Sequence, residues 1–433
     1  MENNRPIRVA IAGLGTVGIG VIKILNDHGN LLAARAGRAV KIVAVSARDR
    51  SRGRGVELSP YEWCDNAVDF ARRDDVDLVI ELIGGSDGPA LTLARETLRA
   101  GKFFVTANKA LIAVHGKELA LLAEENNTSL RFEAAVAGGI PIIKALAEGL
   151  AGNQITGLHG ILNGTCNYIL TRMEREGLSF GEVLADAQRL GYAESDPTFD
   201  IDGIDTAHKT AILAALAFGT APNMGNLPTE GIRTIAPVDI DYAKELGYRI
   251  KLLGVARRSS DGMETRVHPA MVPLSAPLAS VMDAVNAVVV QGDYVGQTVY
   301  EGAGAGEGPT ASAVVADIVD IARGNIYPAF GIPVADLQDI PAIPTDKHMG
   351  TYYIRLRVDD RPGVMADITG ELAREDVSIK SILQRGKALG GGVYIVLTTH
   401  HHEEAAVVAT LKHFTQLECV LETPTMLRIE ALF

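Results

Sequence analysis

The first 150 residues alternate short apolar runs with stretches of helical periodicity. Five apolar runs predict strands, at 8–12, 40–45, 76–83, 103–106 and 130–136. Continuous apolar runs of this kind are typical of parallel strands that are buried on both faces. Helical patterns lie between or after them, up to Leu25, over 91–100 and over 142–150. The alternation predicts an α/β unit built on a parallel sheet.

A GxGxxG motif joins the first predicted strand to the first helix. It consists of Gly13, Leu14, Gly15, Thr16, Val17 and Gly18. The first glycine permits a tight turn, the second lets the backbone approach a pyrophosphate, and the third lets helix and strand pack closely. The helix N-terminus then receives the phosphate charge. A glycine-rich turn without a ligand is the alternative, and the flanking strand and helix favour the dinucleotide site.

The pattern changes near residue 136. A strand is predicted at 157–162, a helix at 166–176, antiparallel strands at 250–256, 264–272 and 287–300 with a turn at 291–293, and a returning helix at 310–322. Pro341 and Pro344 mark a linker at 336–350. From residue 351 the element order is βαββαβ, which is the ferredoxin-like plan.

The predicted fold class is therefore α/β with three parts. A Rossmann-type doubly wound sheet occupies 1–135 and is completed by a returning segment at 305–335. An α+β substrate and dimerisation domain occupies 136–304. A linker at 336–350 leads to a C-terminal ferredoxin-like domain at 351–433.

Residues after the second strand bear on the choice of dinucleotide. An NAD site places an acidic residue there for the ribose hydroxyl, but Arg48 stands near that position. Arginine suits a 2′-phosphate, so NADP is favoured. Asp49 follows and keeps NAD open, and a solvated basic loop is a further alternative for Arg48.

Two more residues are expected near the nicotinamide. Lys109 follows the strand at 103–106, and ligands of doubly wound sheets bind beyond the carboxyl ends of the strands. Gly304 belongs to a second glycine-rich segment, 302–309. Close backbone approach to the cofactor and a flexible crossover between domains are both compatible with that segment.

The segment 187–209 gathers carboxylates and ends in a lysine. Its acidic residues are Glu194, Asp196, Asp200, Asp202 and Asp205, and Lys209 follows. Asp205 and Lys209 are spaced i,i+4 and share a helix face. A surface ion pair is the simplest interpretation, but the helix that follows is apolar nearly all round. That setting favours a buried amine tuned as a proton donor.

Composition narrows the possible partners. The chain has 433 residues, of which 47% are hydrophobic, and a net charge of −12, so nothing indicates nucleic-acid binding. Three cysteines without a CxxC spacing suit a reducing compartment. The polar N-terminus shows no signal peptide, and the apolar runs are too short for a bilayer. We expect a cytoplasmic protein with a small-molecule substrate and no nucleic-acid or membrane partner.

Together these residues resemble the homoserine dehydrogenase family. Its signature, A-x3-G-aromatic/aliphatic-small-x2-acid-P-x2-D-aliphatic-x-G-x-D-x3-K, is met without a mismatch. The matching residues are Ala187, Gly191, Tyr192, Ala193, Asp196, Pro197, Asp200, Ile201, Gly203, Asp205 and Lys209. The GxGxxG motif, Asn108-Lys109 and the segment 302–318 also match. The tail is similar to an ACT domain.

The resemblance implies NAD(P)-linked interconversion of L-aspartate 4-semialdehyde and L-homoserine, in the biosynthesis of threonine, methionine and isoleucine. It implies that Lys209 is the proton donor, that Lys109 lies between nicotinamide and substrate, and that Glu194, Asp200, Asp205 and Gly191 bind the substrate. The implied cofactor contacts are Gly13, Leu14, Gly15, Thr16, Val17, Gly18, Arg48, Lys109, Gly191 and Gly304. A monovalent cation, Na⁺ or K⁺, is implied near Glu133, Val136, Gly138 and Ile140. A threonine effector at the ACT domain and a homodimer or homotetramer are also implied.

Two other functions are alternatives to a homoserine dehydrogenase. A 2-hydroxyacid dehydrogenase with an ACT tail would need a His/acid pair beside an arginine. His208 is near the segment but lies about a third of a turn from Lys209 on the helix. A ligand sensor without catalysis is the second rival. The Asp205/Lys209 pair and Lys109 favour an enzyme over both.

Overall fold

The computed structural model describes residues 5–191, 194–225, 227–385 and 391–431. Tyr192 and Ala193 of the family signature lie outside the described residues. Within the described ranges, no helix has both the length and the apolar character needed to cross a membrane.

The N-terminal unit is a six-stranded parallel sheet. Its strands are β1 Ile7–Ala12, β2 Val40–Ser46, β3 Glu62–Trp63, β4 Leu78–Glu81, β5 Phe103–Thr106 and β6 Leu130–Arg131. They are ordered β3-β2-β1-β4-β5-β6, which is the doubly wound order with a crossover beside β1. The Rossmann-type prediction is confirmed, and the short strand β3 was not predicted.

Helices cover both faces of this sheet. They are α1 Thr16–Asp27, α2 Gly29–Ala36, α3 Pro89–Arg99 and α4 Lys109–Glu125, with a 3₁₀ turn at Ala67–Arg72. Successive residues of β1 point to opposite faces, so Val9 and Ile11 belong to one hydrophobic cluster, whereas Ala10 and Ala12 belong to another. Burial on both faces explains why the strands read as continuous apolar runs.

Two predicted elements at the end of this unit are partly wrong. The strand predicted at 130–136 stops at Arg131, because a 3₁₀ turn follows at Glu133–Ala135 and Asp317 accepts the backbone N–H of Glu133 at 2.9 Å. The helix predicted at 142–150 divides into α5 Ile142–Lys144 and a π-helical turn at Ala145–Gly149. Long-range hydrogen bonds therefore override the local pattern here.

The second unit contributes five strands to a mixed sheet of ten strands. They are β7 Ile155–Ile161, β8 Tyr248–Ser259, β9 Gly262–Pro273, β10 Val285–Gly292 and β11 Gly296–Ala303. The path β11-β10-β7-β8-β9 is antiparallel throughout. Gly292 pairs with Gly296, so the hairpin turn lies at 293–295, two residues later than predicted.

The helices of this unit are α6 Gly164–Glu176, α7 Phe180–Arg189, α8 Thr198–Ile201, α9 Ile204–Phe218 and α10 Pro237–Glu245, and α11 Glu307–Arg323 follows them in the chain. The returning helix α11 packs on α1. A Cβ atom on Gly20 of α1 would lie 2.9 Å from the Cβ of Ala311, so only glycine permits this approach. The chain thus returns to the first unit as predicted.

The C-terminal unit has the ferredoxin-like order. Its elements are β12 Met349–Val358, α12 Val364–Arg374, β13 Ile379–Arg385, β14 Val393–Thr399, β15 His402–Glu403, α13 Glu404–Phe414 and β16 Thr425–Ile429. The main strands are ordered β16-β12-β14-β13. The predicted βαββαβ plan is confirmed, apart from the short extra strand β15.

This C-terminal unit shares the sheet of the second unit. Strand β16 pairs in parallel with β9, where Arg428 lies opposite Ala270 and Ile429 opposite Met271. The predicted linker is also fixed: Met263 donates its N–H to the carbonyl of Pro341 at 2.9 Å and accepts the N–H of Ile343 at 2.9 Å. The segment 336–350 is therefore hydrogen-bonded to β9, and its last two residues, Met349 and Gly350, are the first residues of β12.

A buried ionic cluster closes this junction. Glu430 directly follows β16, and its carboxylate accepts a hydrogen bond from Arg266 at 3.0 Å and pairs with Arg257. His268 Nε2 lies 3.4 Å from the same carboxylate. Burial alone would raise the pKa of Glu430, but the adjacent His159 and His268 side chains and the positive charge of Arg257 hold it well below its usual range.

We expect Glu430→Gln to lower the free energy of unfolding by about 3 kcal/mol, because it removes a buried carboxylate that pairs with the buried Arg266 and the partly buried Arg257. Urea denaturation of the full chain measures this. Glu403→Gln is the matched control, since Glu403 is exposed and lies 3.6 Å from Lys347; its effect should stay within about 0.5 kcal/mol. Equal effects of the two variants would contradict the structural role of Glu430.

Candidate active site

A cleft of about 950 Å³ lies where the N-terminal sheet meets the second unit. Lys109 from the end of the parallel sheet lines one wall. Asp205 and Lys209 of α9 line another, and the segment from Gly302 to Gly306 closes a third. The position beyond the carboxyl end of β5 is where doubly wound sheets bind ligands.

The predicted Asp205/Lys209 pair is present and buried. Asp205 is 3% exposed and Lys209 is 9% exposed. Lys209 Nζ donates to Asp205 Oδ2 at 2.7 Å and to the carbonyl of Leu162 at 2.7 Å. Because α9 is buried along most of its length, this pair is not the solvated ion pair that the spacing alone allowed.

Lys109 joins the same carboxylate from the other unit. It is the first residue of α4, a helix that was not predicted from the sequence, and the Asn108 side chain caps that helix by accepting the N–H of Leu111 at 3.2 Å. Lys109 Nζ lies 2.9 Å from Asp205 Oδ1 and 5.3 Å from the ring centroid of Phe199. One carboxylate thus links the two lysines.

The charges explain the ionisation of Asp205. Burial would raise its pKa, but the positive charges of Lys209 and Lys109, with hydrogen bonds from Lys209 and Asn163, hold the pKa of that carboxyl well below its usual range. Asp200 differs, because burial raises its pKa against the opposing hydrogen bond from Asn163. The site therefore combines a firmly ionised carboxylate with one that is easier to protonate.

Asn163 was not singled out from the sequence. It lies between β7 and α6, and its side chain caps α6. Its Nδ2 donates to Asp200 Oδ1 and to Asp205 Oδ2, each at 2.8 Å. The available signal was an asparagine between a predicted strand and a predicted helix, a position that is typical of a helix N-cap.

The GxGxxG loop has the geometry that the motif requires. Gly13 has φ +103°, and a Cβ atom there would lie 2.4 Å from the carbonyl oxygen of Leu82. A Cβ atom on Gly18 would lie 2.1 Å from the Gly13 oxygen, whereas Gly15 faces open space. The loop leads into α1 at Thr16, so its backbone is free to approach a pyrophosphate.

Basic side chains cluster beside this loop. Arg48 is exposed just beyond β2. Arg54 Nε donates to the carbonyl of Leu14 at 3.3 Å, and the Arg50 and Arg54 guanidinium groups lie 5.8 and 5.6 Å from the ring centroid of Trp63. Asp49 instead accepts the N–H of Ser51 at 2.8 Å and closes a local turn. Positive charge thus surrounds the end of β2.

The second glycine-rich segment is tightly packed. Gly139 donates its N–H to the carbonyl of Ala303 at 2.9 Å, and a Cβ atom on Gly304 would lie 2.1 Å from Cγ of Asn286. These contacts favour close approach over a flexible crossover. Neither amide atom of the buried Asn286 side chain has a hydrogen-bond partner among the described residues.

The two remaining substrate candidates, Gly191 and Glu194, differ in their position relative to the cleft. Gly191 lines the cleft just after α7, with φ +79°. Glu194 is exposed and does not line the cleft, and its backbone carbonyl accepts a hydrogen bond from Gln188 Nε2 at 3.0 Å. The structure therefore brings together Lys109, Gly191, Asp200, Asp205 and Lys209 and leaves Glu194 outside.

The cation candidates share one buried turn. Glu133, Val136 and Ile140 are all at most 2% exposed, and Gly138 has φ +48°. The Glu133 carboxylate accepts the N–H groups of Ile143 at 3.0 Å and Lys144 at 2.9 Å. Burial, with the nearby Asp317 charge, raises the pKa of Glu133 to about 8. No group of three or more His, Cys, Asp or Glu side chains suited to a metal occurs in the described part of the chain.

Three family models match the chain. The model described as homoserine dehydrogenase matches residues 141–319, its NAD binding domain matches 13–133, and an ACT domain matches 352–414. These matches confirm the predicted dinucleotide-binding domain, the homoserine dehydrogenase family of the central part and the C-terminal ACT domain.

Known proteins extend the match to the whole chain. A homoserine dehydrogenase from Neisseria gonorrhoeae is 45% identical over 435 residues, covering 99% of each chain. The solved structure of a homoserine dehydrogenase from Thiobacillus denitrificans has a TM-score of 0.95 at 44% identity and covers 100% of both chains. A hyperthermophilic archaeal homoserine dehydrogenase in complex with NADPH has a TM-score of 0.64 at 25% identity, covering 75% of this chain and 100% of that one. Given these matches and the cleft described above, the chain belongs to the homoserine dehydrogenase family, whose members are NAD(P)-linked oxidoreductases acting on a CH–OH group.

Proposed function

We propose that this cleft interconverts L-aspartate 4-semialdehyde and L-homoserine with Lys209 as the proton donor. The bound dinucleotide supplies the hydride. The observation that carries the proposal is the Asp205 carboxylate, which lies 2.9 Å from Lys109 Nζ and accepts from Lys209 Nζ at 2.7 Å. Lys209 would give a proton to the carbonyl oxygen during reduction, and Lys109, which lines the same cleft, would lie between the nicotinamide and the substrate.

The acidic residues suit the amino group of the substrate. We propose Asp200, Asp205 and the backbone around Gly191 as its binding partners. Glu194 is proposed as a further partner on the family resemblance alone. A sensor without catalysis would not need two lysines on one buried carboxylate, so the enzyme remains the preferred function.

We expect Lys209→Ala to lower kcat on the order of 10²-fold, because it removes a general acid. Loss of absorbance of the reduced nicotinamide with L-aspartate 4-semialdehyde measures the rate. Lys117→Ala, an exposed lysine on α4, is the control and should keep the normal rate. A near-normal rate in Lys209→Ala would assign Lys209 a structural role.

We propose that NADP is the preferred cofactor. Support comes from the exposed Arg48 beyond β2 and from the local turn that engages Asp49. The NADPH held by the archaeal relative is consistent with this preference. NAD remains the alternative, since the pyrophosphate contacts of the glycine loop suit both dinucleotides.

We expect Arg48→Ala to reduce kcat/KM for NADPH by about 10-fold, because a charge-assisted contact to the 2′-phosphate is lost. The value for NADH should change by less than about twofold. Arg35→Ala, an exposed arginine on α2, is the control. Equal losses with both cofactors would contradict a role of Arg48 in recognising the phosphate.

We propose that Glu133, with backbone oxygens of Val136, Gly138 and Ile140, holds a monovalent cation. These donors fit a hard, oxygen-ligated ion. A buried carboxylate with a pKa of about 8 is incompletely compensated by its two N–H donors, and a cation would supply the missing charge.

We expect Na⁺ or K⁺, compared with choline at equal ionic strength, to raise the melting temperature by about 2 °C or more. The rise should grow from pH 6 to pH 9, because Glu133 ionises near pH 8 and its carboxylate form binds the cation. Glu133→Gln should abolish the rise, whereas Glu125→Gln at the exposed end of α4 should keep it. A cation response that survives in Glu133→Gln would exclude this site.

We further propose that the ACT domain binds threonine as a feedback effector of the threonine, methionine and isoleucine branches. The ACT match and the shared sheet support this role. The edge strand β11, in which partly exposed and fully exposed residues alternate, supports a homodimer or homotetramer. Free cysteines at positions 64, 166 and 419 are consistent with the cytoplasm.

A further inference from the structure

We propose that Asn163 is a positioning residue. Its side chain holds the Asp205 carboxylate against both lysines and fixes the position of the Asp200 carboxylate relative to that of Asp205. The proposal rests on the proposed roles of Lys209 and Lys109. Asn163 itself is not a proton donor to the substrate; it acts through the carboxylates.

The orientation of the Asn163 amide is fixed by its cap. Asn163 is 5% exposed, and its Oδ1 accepts the N–H of Cys166 in the first turn of α6 at 2.8 Å. A backbone N–H can only donate, so the oxygen must face α6 and the NH₂ group must face the cleft. The helix cap therefore decides which end of the amide meets the carboxylates.

Both carboxylates meet that NH₂ group. Asp200 Oδ1 and Asp205 Oδ2 each lie 2.8 Å from Asn163 Nδ2, which matches the two N–H donors available. A neutral double donor between two carboxylates satisfies both without adding charge. It also holds Asp205 so that Oδ2 meets Lys209 while Oδ1 faces Lys109.

The neighbouring backbone reinforces this arrangement. The carbonyl of Leu162, directly before Asn163, accepts the other hydrogen bond of Lys209 at 2.7 Å. Two consecutive residues at the end of β7 thus set the positions of Lys209 and of its carboxylate partner. A shift of this turn would move the proton donor and its partner together.

Loss of the amide would change the charge balance of the site. The hydrogen bond from Asn163 lowers the pKa of Asp200 and of Asp205. The titratable groups around them are Lys109, Lys209, Cys166, Asp202 and His208. Without the donor, the two carboxylates repel each other more strongly, and protonation extends to higher pH.

Asn163→Asp tests this directly, because aspartate keeps the shape and the helix cap but removes both donors. We expect kcat to fall between about 10-fold and 100-fold, with KM for NADPH within about threefold of the wild-type value. The acid limb of the kcat–pH profile should move up by about one pH unit, since an added carboxylate raises the pKa of its neighbours.

Asn163→Ser separates charge from positioning, because serine can cap α6 and adds no charge. We expect a fall in kcat with a smaller shift of the acid limb. If Asn163→Asp does not fold, as judged by circular dichroism and NADPH fluorescence, the serine variant decides the question. Normal kcat and an unmoved pH profile in the folded variant would overturn the proposal and leave Asn163 as a helix cap.

Asn167→Ala is the matched control one turn along α6. Asn167 is buried and donates to the carbonyls of Val281 and Val285 at 3.2 Å each. We expect a lower melting temperature with an unchanged pH profile.

Lys209→Ala separates failure of the Asn163 role from failure of the proposed function. If Lys209→Ala impairs catalysis while the Asn163 variants do not, only the positioning role of Asn163 fails. If Lys209→Ala is unimpaired as well, the proposed function fails.

Discussion

A single buried carboxylate, that of Asp205, holds together the parts of this molecule that must meet for chemistry. Its two oxygens face Lys209 of the same helix and Lys109 at the start of α4 in the other unit. A buried ion pair is costly to assemble and very costly to break, so the arrangement depends on complete compensation. The Asn163 amide and the Leu162 carbonyl provide the remaining partners.

The same principle applies at the junction with the ACT domain. Strand β16 joins the sheet through β9, and Glu430 just beyond it is surrounded by arginines and histidines of the second unit. Strand β9 contacts both β16 and α9, so packed elements connect the ACT domain with the helix that carries Lys209.

Local signals in the sequence were sufficient for much of the fold. The strand β5 at Phe103–Thr106 has the bounds that the apolar pattern predicted, and β2 at Val40–Ser46 extends only one residue beyond its predicted range of 40–45. Where the predicted bounds were wrong, hydrogen bonds from residues distant in the chain were the cause. The strand expected at 130–136 ends early because Asp317, nearly two hundred residues away, binds the N–H of Glu133. The segment predicted as a linker is fixed, because Met263 donates its N–H to the carbonyl of Pro341 and accepts the N–H of Ile343.

The sequence by itself determined the chemistry of the site, because i,i+4 spacing puts Asp205 and Lys209 on one helix face and GxGxxG specifies its own turn. It could not determine that Lys109 shares the same carboxylate, since that contact joins residues almost one hundred positions apart. Nor could it reveal the role of Asn163, because its two carboxylate partners come from helices α8 and α9, about forty residues later in the chain. The Lys109 contact depends on how the two units dock, and the Asn163 contacts depend on how α6, α8 and α9 pack within the second unit. Both are properties of packed surfaces that local patterns do not encode.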